Sequence, residues 1–270
     1  MAGRGRPSAG AAPAPAADPL AGAIDRHNAR LGTRLQRAVQ VLLWNFLLGP
    51  VLHPLLRLLF RVHVSGGGRL AVLRGPAMFP TQHFHEWDSL AVWLASTWPY
   101  ALTRWHLVPH AFVGRLWMRT PLLRGMSWAL GFPGLVRGVG ADKQSAFAQV
   151  RRWLAGRTQP PGLVICPTGA IGRSREYTVH AGVAHLAACS REMRVHPVAL
   201  AGFAELEWRD VLRLRRPRLV IAIGEPFRVA DIGAEGEQFV AEVCARVRTG
   251  WENALREAGQ CAPGRSGEAQ

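Results

Sequence analysis

At 270 residues the chain is long for one domain and short for two, which favours a single α/β domain with an added membrane or partner element. Its 33 Lys and Arg against 18 Asp and Glu give a formal charge of +15, a balance suited to nucleic acid, anionic lipid or a phosphorylated substrate. Four cysteines, Cys166, Cys189, Cys244 and Cys261, form no Cys-x-x-Cys pair and no metal-ligand spacing, which excludes a small disulfide scaffold and fits a reducing cytosol.

Residues 1–20 run from Met1-Ala2-Gly3-Arg4-Gly5-Arg6-Pro7 into alternating Ala and Pro, too poor in apolar surface to offset ordering, and read as a disordered tail. They lack an apolar h-region, so a cleavable signal peptide is not expected. Residues 21–60 read as membrane-associating helices. The most apolar stretch, Arg37 to Arg61, is interrupted by Gly49-Pro50 and again by His53, Pro54 and Arg57. A spanning helix needs about 20 uninterrupted apolar residues, so the expectation is a helical pair dipping into one leaflet, on the cytoplasmic face. Arginines 30, 34, 37, 57 and 61 would face anionic headgroups and Trp44 the interface. Packing as two core helices is the other reading.

Residues 61–258 read as one domain, in which from Arg61 to about Phe227 short apolar runs alternate with helical patterns, the rhythm of a central, mostly parallel sheet flanked by helices. The spacing predicts strands at Val62 to Val64, Ala77 to Thr81, Gly134 to Val136, Leu163 to Cys166, Val195 to Leu200 and Leu219 to Ile223. Helices are predicted at Asp88 to Ser96, Ala111 to Arg119, Leu122 to Leu130, Lys143 to Leu154, His180 to Cys189 and Glu235 to Glu257. Residues 259–270 read as a flexible tail.

Where the second of these strands gives way to a helix stands Gln82-His83-Phe84-His85-Glu86-Trp87-Asp88-Ser89. On one continuous helix His83 and Asp88 would sit roughly 140° apart, so they can meet only with His83 in the turn and Asp88 in the first helical turn. That arrangement makes a base and its orienting acid. Cys166 ends the apolar run Leu163-Val164-Ile165 and reads as a small core residue rather than a nucleophile, with burial as the deciding observation.

Four segments together resemble the glycerolipid acyltransferase family, of which 1-acylglycerol-3-phosphate acyltransferase is the familiar member. The first is the His83-x-x-x-x-Asp88 block. The second, Gly131-Phe132-Pro133-Gly134-Leu135-Val136-Arg137-Gly138, resembles a family block ending in arginine. The third, Cys166-Pro167-Thr168-Gly169-Ala170-Ile171-Gly172-Arg173, stands in the place of Phe-Pro-Glu-Gly-Thr-Arg or the related Phe-Pro-Glu-Gly-Gly-Ile-Phe-Arg form, of which the second places an arginine at 173, and Val195 to Leu200 resembles a Val-Pro-Val strand. The resemblance implies transfer of a fatty acyl group from a thioester, acyl-CoA or acyl carrier protein, to the hydroxyl of a lysophospholipid. No further cofactor and no nucleic-acid partner are implied; the partners are membrane lipids and the thioester donor.

In that chemistry His83 takes the hydroxyl proton and Asp88 fixes its tautomer and stabilises the imidazolium. The resemblance also implies a phosphate site at Arg137 and Arg173, flanked by Thr168 and Gly169, since guanidinium groups bind phosphate bidentately and glycine lets backbone approach a ligand. The chain departs from the pattern at Thr168, where the family has glutamate, and at His85 and Gln82, where it has serine and asparagine. Two alternatives stay open: an altered member that only binds lipid, and a metallohydrolase using His83, His85 and Asp88. The metallo-β-lactamase pattern would need Asp at 87 and His at 88, where Trp87 and Asp88 stand.

Overall fold

The computed structural model describes residues 19–31, 33–71, 76–85, 88–89, 110–111, 115–132, 134, 162–168 and 178–259. Eight strands lie among them: β1 (Arg61–Ser65), β2 (Ala77–Pro80), β3 (His110–Ala111), β4 (Leu163–Ile165), β5 (Arg194–Val195), β6 (Val198–Ala201), β7 (Arg218–Ile223) and β8 (Phe227–Arg228). The fold is mixed α/β. Strands β3, β4, β2 and β5 run side by side in parallel, and β8 closes that sheet antiparallel to β5. A second sheet has β7 between antiparallel β6 and parallel β1.

The two sheets are joined by a parallel bridge from Thr81 to Val198 and by two chain segments that each contribute a strand to both. One of these, expected as a single strand from Val195 to Leu200, is split at His196-Pro197. Proline has no N–H for the ladder, and the Pro197 carbonyl instead accepts the Gly224 N–H at 2.7 Å. Gly224 interrupts the returning segment between β7 and β8. A Cβ there would stand 2.9 Å from the Gly250 carbonyl oxygen, so only glycine permits this approach.

Side chains alternate across the strands and both faces are covered, which is why β7 reads as an unbroken apolar run. Val220 and Ala222 pack with Val243, Val247 and Trp251 of the long C-terminal helix (Gly236–Glu257). Leu219, Ile221 and Ile223 face the opposite side with Phe60, Phe79, Phe84 and Trp44. The helix predicted from Ala111 begins only at Arg115, because residues 110 and 111 add a parallel edge to β4. Of the helix predicted at Asp88 to Ser96 the described part is its first two residues, and that predicted at Lys143 to Leu154 lies outside the described residues, as does most of the strand predicted at Gly134 to Val136.

The N-terminal region differs from expectation in an informative way. Helix α1 (Pro19–Arg30) is followed by α2 (Arg34–Leu42), a π-helical stretch over Leu43–Leu48 and α3 (Gly49–Leu59). The last three form one helix, Arg34–Leu59, of 26 residues. The break expected at Gly49-Pro50 is absent. The π turn lets the Gly49 N–H reach the Trp44 carbonyl, five residues back, just where Pro50 brings no N–H of its own. A pair of helices does exist, but it is α1 and this continuous helix.

The composite helix carries apolar side chains on both faces, with Leu48, Leu52, Leu56 and Leu59 packed against the core. Gln36, Gln40, Trp44 and Asn45 are buried, whereas Leu35, Leu42, Phe46, Leu47, Val51, Leu55 and Leu58 are exposed. The buried polar side chains have a definite task. Gln36 and Gln40 donate to the carbonyls of Trp128 and Leu130, in the last turn of the helix Pro121–Leu130, where the intrahelical N–H partners run out. Gly131 closes that helix at φ +75, against the Gln40 amide.

Candidate functional site

The site forms where β2 ends. Strand β2 is buried on both faces, so its C-terminal edge is rigid, and the Trp251 indole N–H donates to the Pro80 carbonyl at 3.0 Å from the C-terminal helix. The next two residues continue the anchoring. The Thr81 N–H reaches the Ile165 carbonyl at 2.8 Å, and the buried Gln82 side chain accepts the Leu200 N–H at 2.8 Å. His83 therefore leaves a fixed edge.

The chain bends at Phe84 and His85, and Asp88 is helical with its side chain fully buried. One carboxylate oxygen, Oδ2, accepts the N–H groups of Phe84 and of His85, the latter at 2.7 Å. The same oxygen lies 3.7 Å from His83 Nδ1. That is a charge contact rather than a hydrogen bond. The structure thus brings His83 and Asp88 together with His83 in the turn, and the carboxylate that faces the imidazole also holds the turn closed.

His83 is 21% exposed, enough for a substrate to reach its ring. Burial pulls its pKa down, but the Asp88 carboxylate and the Cys166 sulfur beside it outweigh burial and hold it up, at about 10. His85 points elsewhere: its Nε2–H donates to the Phe203 carbonyl at 2.8 Å and ties the turn to the loop after β6. Among the described residues no group of three His, Cys, Asp or Glu side chains is placed to hold a metal ion.

Cys166 requires a correction. It is half-buried rather than part of the core, because β4 ends at Ile165 and the next side chain emerges at the sheet's edge. Alternation puts it on the face of Val164, the same side as Phe79 and Phe84. Its sulfur lies 3.8 Å from the Ser89 hydroxyl and borders His83. The sequence signal for this was its place at the C-terminal end of a parallel strand, where α/β ligand sites collect. Trp251 was missed for another reason: a helix 171 residues away in sequence gives no local sign that it grips Pro80.

Thr168 follows two residues after Cys166, half-buried, with its hydroxyl oxygen buried and unpaired among the described residues. Arg137, Gly169 and Arg173 lie outside the described residues.

With this geometry in view, comparison with known proteins is informative at the level of fold. The chain is similar to the crystal structure of the 1-acyl-sn-glycerophosphate (LPA) acyltransferase PlsC from Thermotoga maritima, with a TM-score of 0.50 and 15% sequence identity. The fold is shared with an acyltransferase. The match covers 84% of this chain and 94% of the other. No family model matches the chain, and no curated protein matches it in sequence.

Proposed function

We propose that the protein is a membrane-associated acyltransferase that moves a fatty acyl group from acyl-CoA or acyl carrier protein to the hydroxyl of a lysophospholipid or related glycerolipid. The observation that carries this reading is His83 facing a buried Asp88 at the end of β2, within a fold shared with a glycerophosphate acyltransferase.

The reaction needs no acylated residue on the enzyme. His83 removes the acceptor's hydroxyl proton, the oxygen attacks the thioester carbonyl, and the C–S bond breaks as the tetrahedral intermediate collapses. The departing thiolate takes the proton from the imidazolium, which Asp88 stabilises in the interim. A pKa of about 10 leaves the free imidazole mostly protonated at neutral pH. Burial is the largest single influence on that ring and acts downward, so an acyl chain covering its exposed fifth would bring it toward neutrality as substrate binds. Substrate binding and base activation are coupled in this scheme.

Arg137 and Arg173 are assigned the acceptor phosphate, with Gly169 letting backbone approach it. Thr168 in place of the family glutamate removes a negative charge from the acceptor pocket, which favours an acceptor headgroup other than one selected by that carboxylate. Localisation at a membrane is supported by the helix Arg34–Leu59; its placement on the cytoplasmic face follows only from the proposed acyl-CoA or acyl carrier protein donor. By length and composition that helix is apolar enough to cross a bilayer, and its exposed row of Leu, Phe and Val needs an apolar partner.

The test is a panel of lysophospholipid acceptors with acyl-CoA and acyl carrier protein donors, read by mass spectrometry of the lipid product. Wild type is expected to acylate at least one acceptor, and His83→Ala none. Equal inertness of wild type and His83→Ala throughout the panel would favour a lipid-binding role instead.

A further inference from the structure

A cavity of about 640 Å³ lies between α1, the start of α2 and the helix Pro121–Leu130, and neither His83 nor Asp88 lines it. Arg26, His27 and Arg30 line it from α1 and Arg124 from the third helix, with Trp128 and Leu35 completing the walls. None of the residues lining it carries a negative charge. Arg26 and Arg30, four apart on α1, share one face and repel each other, and Arg124 adds a third cation from across the gap. Such a cluster is unfavourable in an empty cavity and becomes favourable around an anion.

Surrounding groups strengthen the positive field. The last carbonyl of α1, Arg30 O, accepts from the Thr33 hydroxyl and the Trp128 indole, so the negative end of that helix is occupied. His27 donates its Nε2–H to the Phe132 carbonyl and is held below its ordinary pKa by burial first, with the Arg124 and Arg30 cations adding. Its ring is thus committed and neutral, leaving the three arginines as the charge in the cavity. Thr33, which also lines it, caps the amino end of the Arg34–Leu59 helix, whose dipole points its positive end the same way.

The position decides the ligand. Leu35, a wall of the cavity, is 68% exposed and opens the apolar row that continues through Leu42 and Phe46; Leu122 and Met126 are exposed beside Arg124. A phosphate held by arginine at the rim of an apolar surface is the geometry of a phospholipid in a bilayer. We infer that this cavity binds the headgroup phosphate of an anionic membrane phospholipid, separately from the acceptor at His83, and so fixes the depth and orientation of the enzyme on the bilayer. The inference rests on the membrane association proposed above.

The experiment is flotation of the full chain with vesicles of phosphatidylcholine alone and of phosphatidylcholine mixed with phosphatidylglycerol. Wild type should partition onto both, more strongly onto the mixed vesicles. Arg30→Gln/Arg124→Gln should lose about 30-fold of its partitioning onto mixed vesicles, since each arginine near an anionic surface is worth about 1 kcal/mol and 1.4 kcal/mol is tenfold. It should bind neutral vesicles as wild type does. A double variant of exposed arginines elsewhere, Arg191→Gln/Arg248→Gln, supplies the charge-matched control and should lose much less. Equal losses in the two double variants would overturn the cavity and leave only a diffuse charge effect. Saturation by inorganic phosphate without any preference between vesicles would overturn the lipid assignment. No binding of wild type to either vesicle would overturn the membrane reading itself, a different failure.

Discussion

Asp88→Asn isolates the charge of the proposed base and acid pair almost without changing its shape. In the wild type one oxygen, Oδ2, accepts both turn N–H groups and faces His83 Nδ1, while Oδ1 has no partner among the described residues. An asparagine carbonyl placed at Oδ2 keeps both hydrogen bonds and the same tautomer, and its NH2 replaces Oδ1. What disappears is a unit charge 3.7 Å from the imidazole. With an effective dielectric constant of about 20, that contact is worth about 4.5 kcal/mol, or about three pKa units. The His83 pKa should therefore fall from about 10 to near 7 in the variant. Titration of the His83 ring protons by NMR reads this without reference to activity. The rising limb of kcat/KM against pH should move down by the same interval, while its plateau falls because the imidazolium formed during transfer loses its counter-charge. A wild-type His83 that titrates near 6.5, or a limb that stays in place when Asp88 is neutralised, would show that the two residues are neighbours without being coupled.

Four other outcomes follow from the packing and the titrating groups. His196, buried with neither ring nitrogen paired among the described residues, is held down at about 4 by burial first and then by the Arg194 and Arg69 cations. Its folded pKa lies below the unfolded value, so unfolding takes up a proton and stability declines as pH falls from about 6.5 to about 4, by about 3 kcal/mol in all. His196→Phe, which keeps a ring beside Phe79, should flatten that part of a urea-unfolding profile; an unchanged acid limb would contradict the assignment. Gly250→Ala in a solvated helix would stabilise by about 1 kcal/mol, but here its Cβ falls 2.5 Å from the Pro197 ring, and overpacking of about 1–3 kcal/mol should reverse the sign, read as a lower urea midpoint. Trp251→Phe removes the donor to Pro80 and should cost about 1 kcal/mol of stability together with a fall in kcat, because that bond steadies the strand end carrying His83; unchanged kcat would separate the two. Phe46→Ser/Leu55→Ser should leave the melting temperature nearly unchanged while reducing binding to neutral vesicles, and a large loss of stability would mean that this face is buried in protein.

The sequence by itself determined what depends on local pattern. Alternation and apolar runs located β1, β2, β4, β7 and the C-terminal helix, because strands buried on two faces and amphipathic helices write their periods into adjacent residues. The spacing of His83 and Asp88 was likewise legible: a turn followed by a helical start is the geometry in which five residues bring them together, and the structure places them so. Only the tertiary structure could decide matters set by residues distant in the chain. Gly49-Pro50 reads as a break until a π turn carries the helix through it, and nothing local to Gln36 and Gln40 shows that they cap a helix about ninety residues on. Cys166 passes from core residue to neighbour of His83 because its exposure depends on where β4 stops relative to β2. The three arginines of the cavity beside α1 come from two helices far apart in sequence, and a charge total says nothing of their convergence. Local periodicity determines elements; the order in which they pack determines which of their side chains meet.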